Sequence, residues 1–186
     1  VYVDNSITPE AYTNIVGVTA NNVTFDMTLN DGTVNTEVTS SVPLASSAVL
    51  VNAFNGTNNH YNVNQTTEAL TFTFNRDIVI TQMRGRGRSD DTSHFFKDYQ
   101  AQFYDVNDVL LDTQTDTVAF GNEYFVIKSN KQVRKIILTG SNRTGTDAGI
   151  NFIELYTAEK QTDYYVVDDR YLGYKTVPYA DFLNPL

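Results

Sequence analysis

Between residues 22 and 38 the chain reads NVTFDMTLNDGTVNTEV, with an apolar or small side chain at every second position. Val23, Phe25, Met27 and Leu29 fall on one face of an extended segment, and Val34, Thr36 and Val38 on one face of the next. Because successive side chains of a strand point to opposite faces, a period of two predicts half-buried strands. Asp31-Gly32 between them offers the positive-φ positions that a tight hairpin turn demands, so the stretch reads as a β-hairpin.

Seven further runs read as strands: ALTFTFN (69–75), IVITQMRGRGR (78–88), YQAQFYD (99–105), VLLDTQT (109–115), EYFVIKS (123–129), VRKIILTG (133–140) and INFIELYT (150–157). Asn, Asp and Gly turns separate them, and only Pro9-Glu10-Ala11-Tyr12 hints at a helical turn. This spacing predicts an all-β chain folded as two packed antiparallel sheets, a β-sandwich. After residue 158 the pattern changes: Tyr164, Tyr165, Tyr171, Tyr174 and Tyr179 crowd the end of the chain. So aromatic a tail is expected to pack across the sandwich or to dock on another subunit. The expected organisation is an N-terminal segment with a hairpin (1–38), a sandwich (39–157) and a Tyr-rich extension (158–186).

A length of 186 residues suits one domain with extra elements. The formal net charge is −9 and the first 75 residues hold no Lys or Arg, which argues against a grip on nucleic acid backbones. No apolar run reaches the roughly 18 to 20 residues of a membrane-spanning helix, and membrane insertion is not expected. There is no cysteine, so disulfides and thiolate metal sites are excluded. The sequence begins at Val1 without a basic-then-apolar leader, which fits a processed or trimmed chain.

Several polar stretches carry possible chemistry. Arg84, Arg86 and Arg88, spaced by two, project from one face of a strand. One reading pairs them with Asp90, Asp91 or Asp98 at the surface; another lets Arg88, nearest the strand end, reach a ligand while Arg84 and Arg86 stay structural. Gly85 and Gly87 leave space on the opposite face, which a bulge or a bulky group such as the Tyr-rich tail would fill. Two polar loops stand out, RSDDTSHFFKDY with His94, Phe95, Phe96 and Lys97, and GSNRTGTDAG with Asn142, Arg143 and Asp147. The adjacent phenylalanines suit a stacking surface or a protein contact, or one of them enters the core. No nucleophile elbow, phosphate-cradling loop, zinc-ligand spacing or Ser-His-Asp pattern is present, and an enzyme is not expected. Were there catalysis, Asp90-Asp91 beside His94 would be its first candidate.

The order of SSAVLVNAFNGTNNHYNVNQTTEALTFTFNRDIVITQMRGRGR and VRKIILTGSNRTGTDAGINFIELYT resembles the galactose-binding-like jelly roll. That superfamily includes discoidin domains, coagulation-factor C-type domains, sugar-binding modules and F-type lectins. The match runs from about residue 39 to 157. In many members the loop after the small-residue run holds calcium, closed by a Glu of the last strand. Carried over, the resemblance implies Asn55, Thr57, Asn58 and His60 as loop ligands and Glu154 as the closing carboxylate. Asn55 stands where an Asp is usual and His60 where a threonine is, so the implied site has one formal negative charge. Read from the residues alone, 55–59 is a turn held by Asn side chains around Gly56.

F-type lectins also share a histidine, arginine, acid and basic series that contacts sugar hydroxyls. His60, Arg88, Asp90 and Lys97 resemble it, with offsets that depart slightly from the family's. The DGT hairpin resembles units of bacteriophage tail-fibre and neck proteins. Together these resemblances imply a non-catalytic module that binds a cell-surface glycan through His60, Arg88, Asp90, Lys97, Asn142 and Arg143, with Phe95 or Phe96 as a stacking surface. Weak single sites would call for several copies, hence a homo-oligomer, displayed extracellularly or on a virion surface. The competing expectation is a purely structural virion or surface-assembly component, such as a capsid decoration, collar or tail-fibre domain, that binds no sugar.

Overall fold

A computed structural model describes residues 2–5, 15–19, 21–29, 32–41, 50–54, 65–87, 93–160, 163–168 and 173–178. They form β1 (Tyr2–Asn5), β2 (Ile15–Thr19), β3 (Asn22–Leu29), β4 (Gly32–Ser40), β5 (Glu68–Arg86), β6 (Phe96–Tyr104), β7 (Leu110–Thr117), β8 (Phe125–Arg143), β9 (Asn151–Lys160), β10 (Asp163–Asp168) and β11 (Gly173–Pro178). Among the described residues one short 3-10 turn, Leu50–Ala53, accompanies them. The Pro9 to Tyr12 turn and the 51–61 loop beyond Phe54 fall outside the described residues.

The hairpin forms in the register its alternation predicts. Leu29 pairs with Gly32, which sits at φ +123°, and Val23 pairs with Val38. Val23, Phe25, Met27, Leu29, Val34, Thr36 and Val38 are all buried. The hairpin is no appendage, because β4 pairs with β5 from Thr36↔Phe74 to Ser40↔Leu70, and the sheet runs on without a break at residue 38. Phe54, from the turn after β4, wedges between Phe25 at 5.4 Å and Phe72 at 6.1 Å. Each such fully buried ring contributes about 1.5–3 kcal/mol over its exposed state.

Two pairs of expected strands turn out to be two long strands. Runs 69–75 and 78–88 join in β5, and runs 123–129 and 133–140 join in β8, each 19 residues long. The register between them shifts at Thr73/Ile78, where the polar stretch NRD interrupts the apolar pattern. There Arg134 reaches across to the Asp77 carboxylate at 2.9 Å and the Asn75 carbonyl at 2.9 Å, so the polar residues hold a bend in place of a turn. Irregularities of this kind let strands pass from one sheet of a sandwich to the other. Before the bend β5 lies between β4 and β8, and β8 between β5 and β6; after it, β5 lies between β8 and β9. One layer is therefore β2-β3-β4-β5-β8-β6-β7, and the other adds β9, with β1 on its far edge, to the remaining halves of β5 and β8.

The layers meet face to face where Tyr99 of β6 stacks on Phe125 of β8, ring centroids 4.1 Å apart. Close approach needs glycine here. A methyl group at Gly85 would stand 2.9 Å from the Phe125 ring, and one at Gly87 would stand 2.7 Å from Phe95 Cβ. Those two rings pack into the space opposite Arg84 and Arg86. The tail itself contains a hairpin, with β10 pairing β11 from Asp163↔Pro178 to Asp168↔Gly173.

Candidate functional site

Tracing β5 out to the bend and back brings both its ends to one rim. Glu68 and Tyr99 both pair with Gly140 in the first layer, and across the core Gly85 pairs with Phe125, on which Tyr99 stacks. Three described loop segments converge at this rim: 93–95 before β6, 118–124 before β8 and 144–150 after β8.

Hydrogen bonds lock these segments together. Thr144 N–H donates to the Phe95 carbonyl at 2.8 Å, and the Thr144 hydroxyl to the Ser93 carbonyl at 2.7 Å. The Val118 N–H donates to the Lys97 carbonyl at 2.9 Å. Within 118–124, Glu123 accepts from the N–H groups of Ala119 and Phe120, at 2.7 and 3.2 Å, and fixes a tight turn. That turn leaves the Phe120 ring 56% exposed. His94 packs against Gly145, with Nε2 3.8 Å from an Asp147 carboxylate oxygen and Nδ1 3.0 Å from the Ser93 hydroxyl. Asn142, at φ +56°, donates from its side chain to Asp98 at 3.1 Å. Arg143 reaches the Gln65 carbonyl at 3.4 Å, tying β8 to the segment that precedes β5.

Below the rim, Glu68 is 1% exposed and accepts a hydrogen bond from Ser40 at 2.8 Å. Burial drives its carboxyl up to about 8, against a smaller opposing pull from the Ser40 hydroxyl. It is a protonated acid under neutral conditions. Burial also raises the Tyr99 hydroxyl, with the Glu68 charge adding to the effect.

On the outward face of the second layer, Arg84 pairs with Glu154, whose Oε2 also accepts from the Tyr156 hydroxyl at 2.7 Å. The hydrogen bond it donates to Glu154 holds the Arg84 guanidinium above its ordinary range. Burial, reinforced by the Glu154 hydrogen bond, raises the Tyr156 hydroxyl. The Arg84 guanidinium lies 4.9 Å from the Tyr124 ring centroid and 5.5 Å from that of Tyr156. Arg86 lies 5.2 Å from Tyr124 and 4.1 Å from Phe152. Of the expected surface partners, Asp90 and Asp91 lie outside the described residues, as does Arg88; among the described residues Arg84 pairs with Glu154, and aromatic rings flank both Arg84 and Arg86.

Of the sugar-site residues drawn from the sequence, Asn142, Arg143 and Lys97 stand at this rim. His60, Arg88 and Asp90 lie outside the described residues. Phe95 and Phe96 do not form a stacking surface: they are 3% and 0% exposed. Glycines draw both inward, Gly87 facing Phe95, and Gly140 leaving room for Phe96, whose ring would stand 2.6 Å from an added methyl group. An exposed ring at this rim is instead Phe120, three residues before Glu123 in the turn AFGNE. Of the calcium set, Asn55, Thr57, Asn58 and His60 lie outside the described residues. Glu154 is described, and its Oε2 accepts from the Arg84 guanidinium and the Tyr156 hydroxyl. Among the described residues no group of three or more His, Asp or Glu side chains is arranged to hold a metal ion.

The same two-layer arrangement occurs in solved structures. A family 32 carbohydrate-binding module of Clostridium perfringens NanJ, solved with galactose, superposes with a TM-score of 0.54 at 16% identity, covering 67% of this chain and 93% of that one. The two share a fold, an antiparallel β-sandwich. A second Clostridium perfringens family 32 module, in complex with GalNAc-β-1,3-galactose, gives 0.54 at 12% identity over 64% of this chain and 94% of that one. A family 32 module of a family 31 glycoside hydrolase, bound to GalNAc, gives 0.53 at 21% identity over 67% and 99%. No family model and no curated protein matches the sequence. Within this sandwich, the described loops and the Phe120 turn share one rim, while the hairpin β6–β7 extends from the opposite end of β6.

Proposed function

We propose that this chain is a non-catalytic carbohydrate-binding module that engages a cell-surface glycan at the loop-rich rim. The observation that carries the reading is Phe120, a ring held 56% exposed by a rigid turn at the rim that also carries His94, Asn142 and Arg143. A sugar presents an apolar face to an aromatic ring and hydroxyls to planar donors, and this rim offers both. The fold likeness to modules solved with galactose and GalNAc supports the same reading. So does the lack of a catalytic motif in the sequence. Placement outside the cell, and assembly into copies that raise a weak single-site affinity, follow from this role.

The test is a glycan array probed with the purified chain and with Phe120→Ala, each with and without chelator. Because Phe120 is exposed, its truncation should leave the melting temperature within about 1 °C while reducing glycan binding at least tenfold, roughly the loss of one stacking contact. Loss of binding on chelation would assign calcium to the residues of the 55–60 loop. A folded wild-type chain that captures no glycan on a dense array would overturn the proposal.

One observation favours the second reading, a structural component of a virion or other surface assembly. Val106, Val109 and Leu110, at the β6–β7 connection, are 58%, 54% and 48% exposed on an edge hairpin. Such apolar tips suit contact with a neighbouring protein. Under this reading the chain self-assembles in solution and ignores sugars.

A further inference from the structure

Arg86 has no carboxylate partner among the described residues, in contrast to Arg84 one step earlier on the same face. Its guanidinium is faced by the rings of Tyr124 and Phe152, and its Nε is buried without a hydrogen-bond partner. Aromatic rings attract a cation through their faces, but they accept none of its in-plane N–H hydrogen bonds. With Nε buried, the terminal amino groups of this half-buried side chain are what a planar, bidentate anion can meet, end-on.

The backbone is bent to make this seat. Arg84 pairs with Glu154 while Arg86 pairs with Asn151, so Phe152 and Ile153 together stand opposite Gly85. This is a β-bulge, and Phe152 occupies it at φ +51°, a left-handed conformation unfavourable for a bulky side chain. Strain kept at one residue, with its ring delivered onto a cation, is the kind of local cost that accompanies a working site. Tyr124, the other ring, belongs to the segment that presents Phe120, and Gly87, next after Arg86, packs against the Gly121 carbonyl of that segment. The seat and the exposed ring are thus built by one loop.

We propose that Arg86 receives the carboxylate of an acidic sugar, so that the glycan recognised at this rim carries a uronic or sialic acid residue. The proposal rests on the carbohydrate-binding reading and narrows its ligand. The sugar ring lies toward Phe120 while its carboxylate meets the Arg86 fork between Tyr124 and Phe152.

The experiment compares matched pairs of probes, 3′-sialyllactose against lactose and a galacturonic acid trimer against a galactose trimer, by calorimetry at low and high salt. Wild type should bind one acidic member at least tenfold more tightly than its neutral partner, with the advantage shrinking as salt rises. Arg86→Met should bring acidic binding down to the neutral level while neutral binding persists, and Arg86→Lys, which keeps the charge but not the fork, should fall between. Circular dichroism checks that the variants fold; if Arg86→Met does not, the Lys variant and the wild-type salt dependence decide. Equal affinity for acidic and neutral probes would overturn the acidic-sugar proposal and leave the module reading standing. Binding to none of the four probes, with neutral glycans captured on the array, would overturn it in the same way. Failure on the array as well would remove the carbohydrate reading itself. Preferential capture of a polyglutamate peptide by Arg86 would replace the sugar with an acidic protein segment.

Discussion

At the scale of single residues, Glu68 links the fold to pH. Its carboxyl titrates near 4.5 when the chain is unfolded and is raised to about 8 in the folded chain, so between those values the folded state holds the extra proton. Stability then falls as pH rises through that window, by up to about 1.4 kcal/mol per pH unit from this group, and the loss is complete above pH 8. Denaturant titrations at pH 5, 6.5 and 8 should show wild type weakening steadily, while Glu68→Gln, which keeps an acceptor for Ser40 and carries no charge, should flatten that slope. An unchanged slope in the variant would mean that Glu68 is not the group responsible. The Arg84 and Glu154 pair makes a different point about residues. From the sequence, Glu154 is a strand-end carboxylate available to a cation; in the fold it already serves Arg84 and Tyr156.

At the scale of elements, glycine sockets govern how strands receive rings. A methyl group at Gly140 would stand 2.6 Å from Phe96 Cδ2. Gly140→Ala should destabilise the protein by about 1–3 kcal/mol through overpacking, and Gly140→Ala combined with Phe96→Leu should recover much of that loss. Thermal melts of the two single variants and the double variant check this, and strict additivity would show that the socket does not matter. The same contact explains what sequence reading could and could not see. Alternation gave the hairpin and its buried face residue by residue, because a period of two is a local property of the chain. Alternation also places Phe95 and Phe96 on opposite faces, and both are nonetheless buried, since Phe95 precedes the strand and meets Gly87 from another element. Likewise NRD at 75–77 looks like a break between strands. Whether a polar interruption turns the chain or only bends it depends on partners far along the sequence, here Arg134 meeting Asp77. The Phe120 turn was hidden for a related reason: its exposure is set by Glu123 capping the N–H groups before it, and no hydrophobic period marks that.

At the scale of the whole molecule, the N-terminal hairpin belongs to the sandwich. Val23, Phe25, Met27, Val34 and Val38 line the same core as Leu70 and Phe72 of β5. A chain lacking residues 1–38 should therefore show no cooperative thermal transition, whereas a hairpin that merely decorates the domain would leave the melt intact. The solved structures it resembles cover about two thirds of this chain. The two long strands carry one more consequence. Because β5 and β8 each belong to both layers, neither sheet is a separable page. A protease nick inside either strand would unfasten both layers at once, while a nick at the exposed connection 105–109 would sever only a margin, making that connection the natural place to open the chain and join it anew.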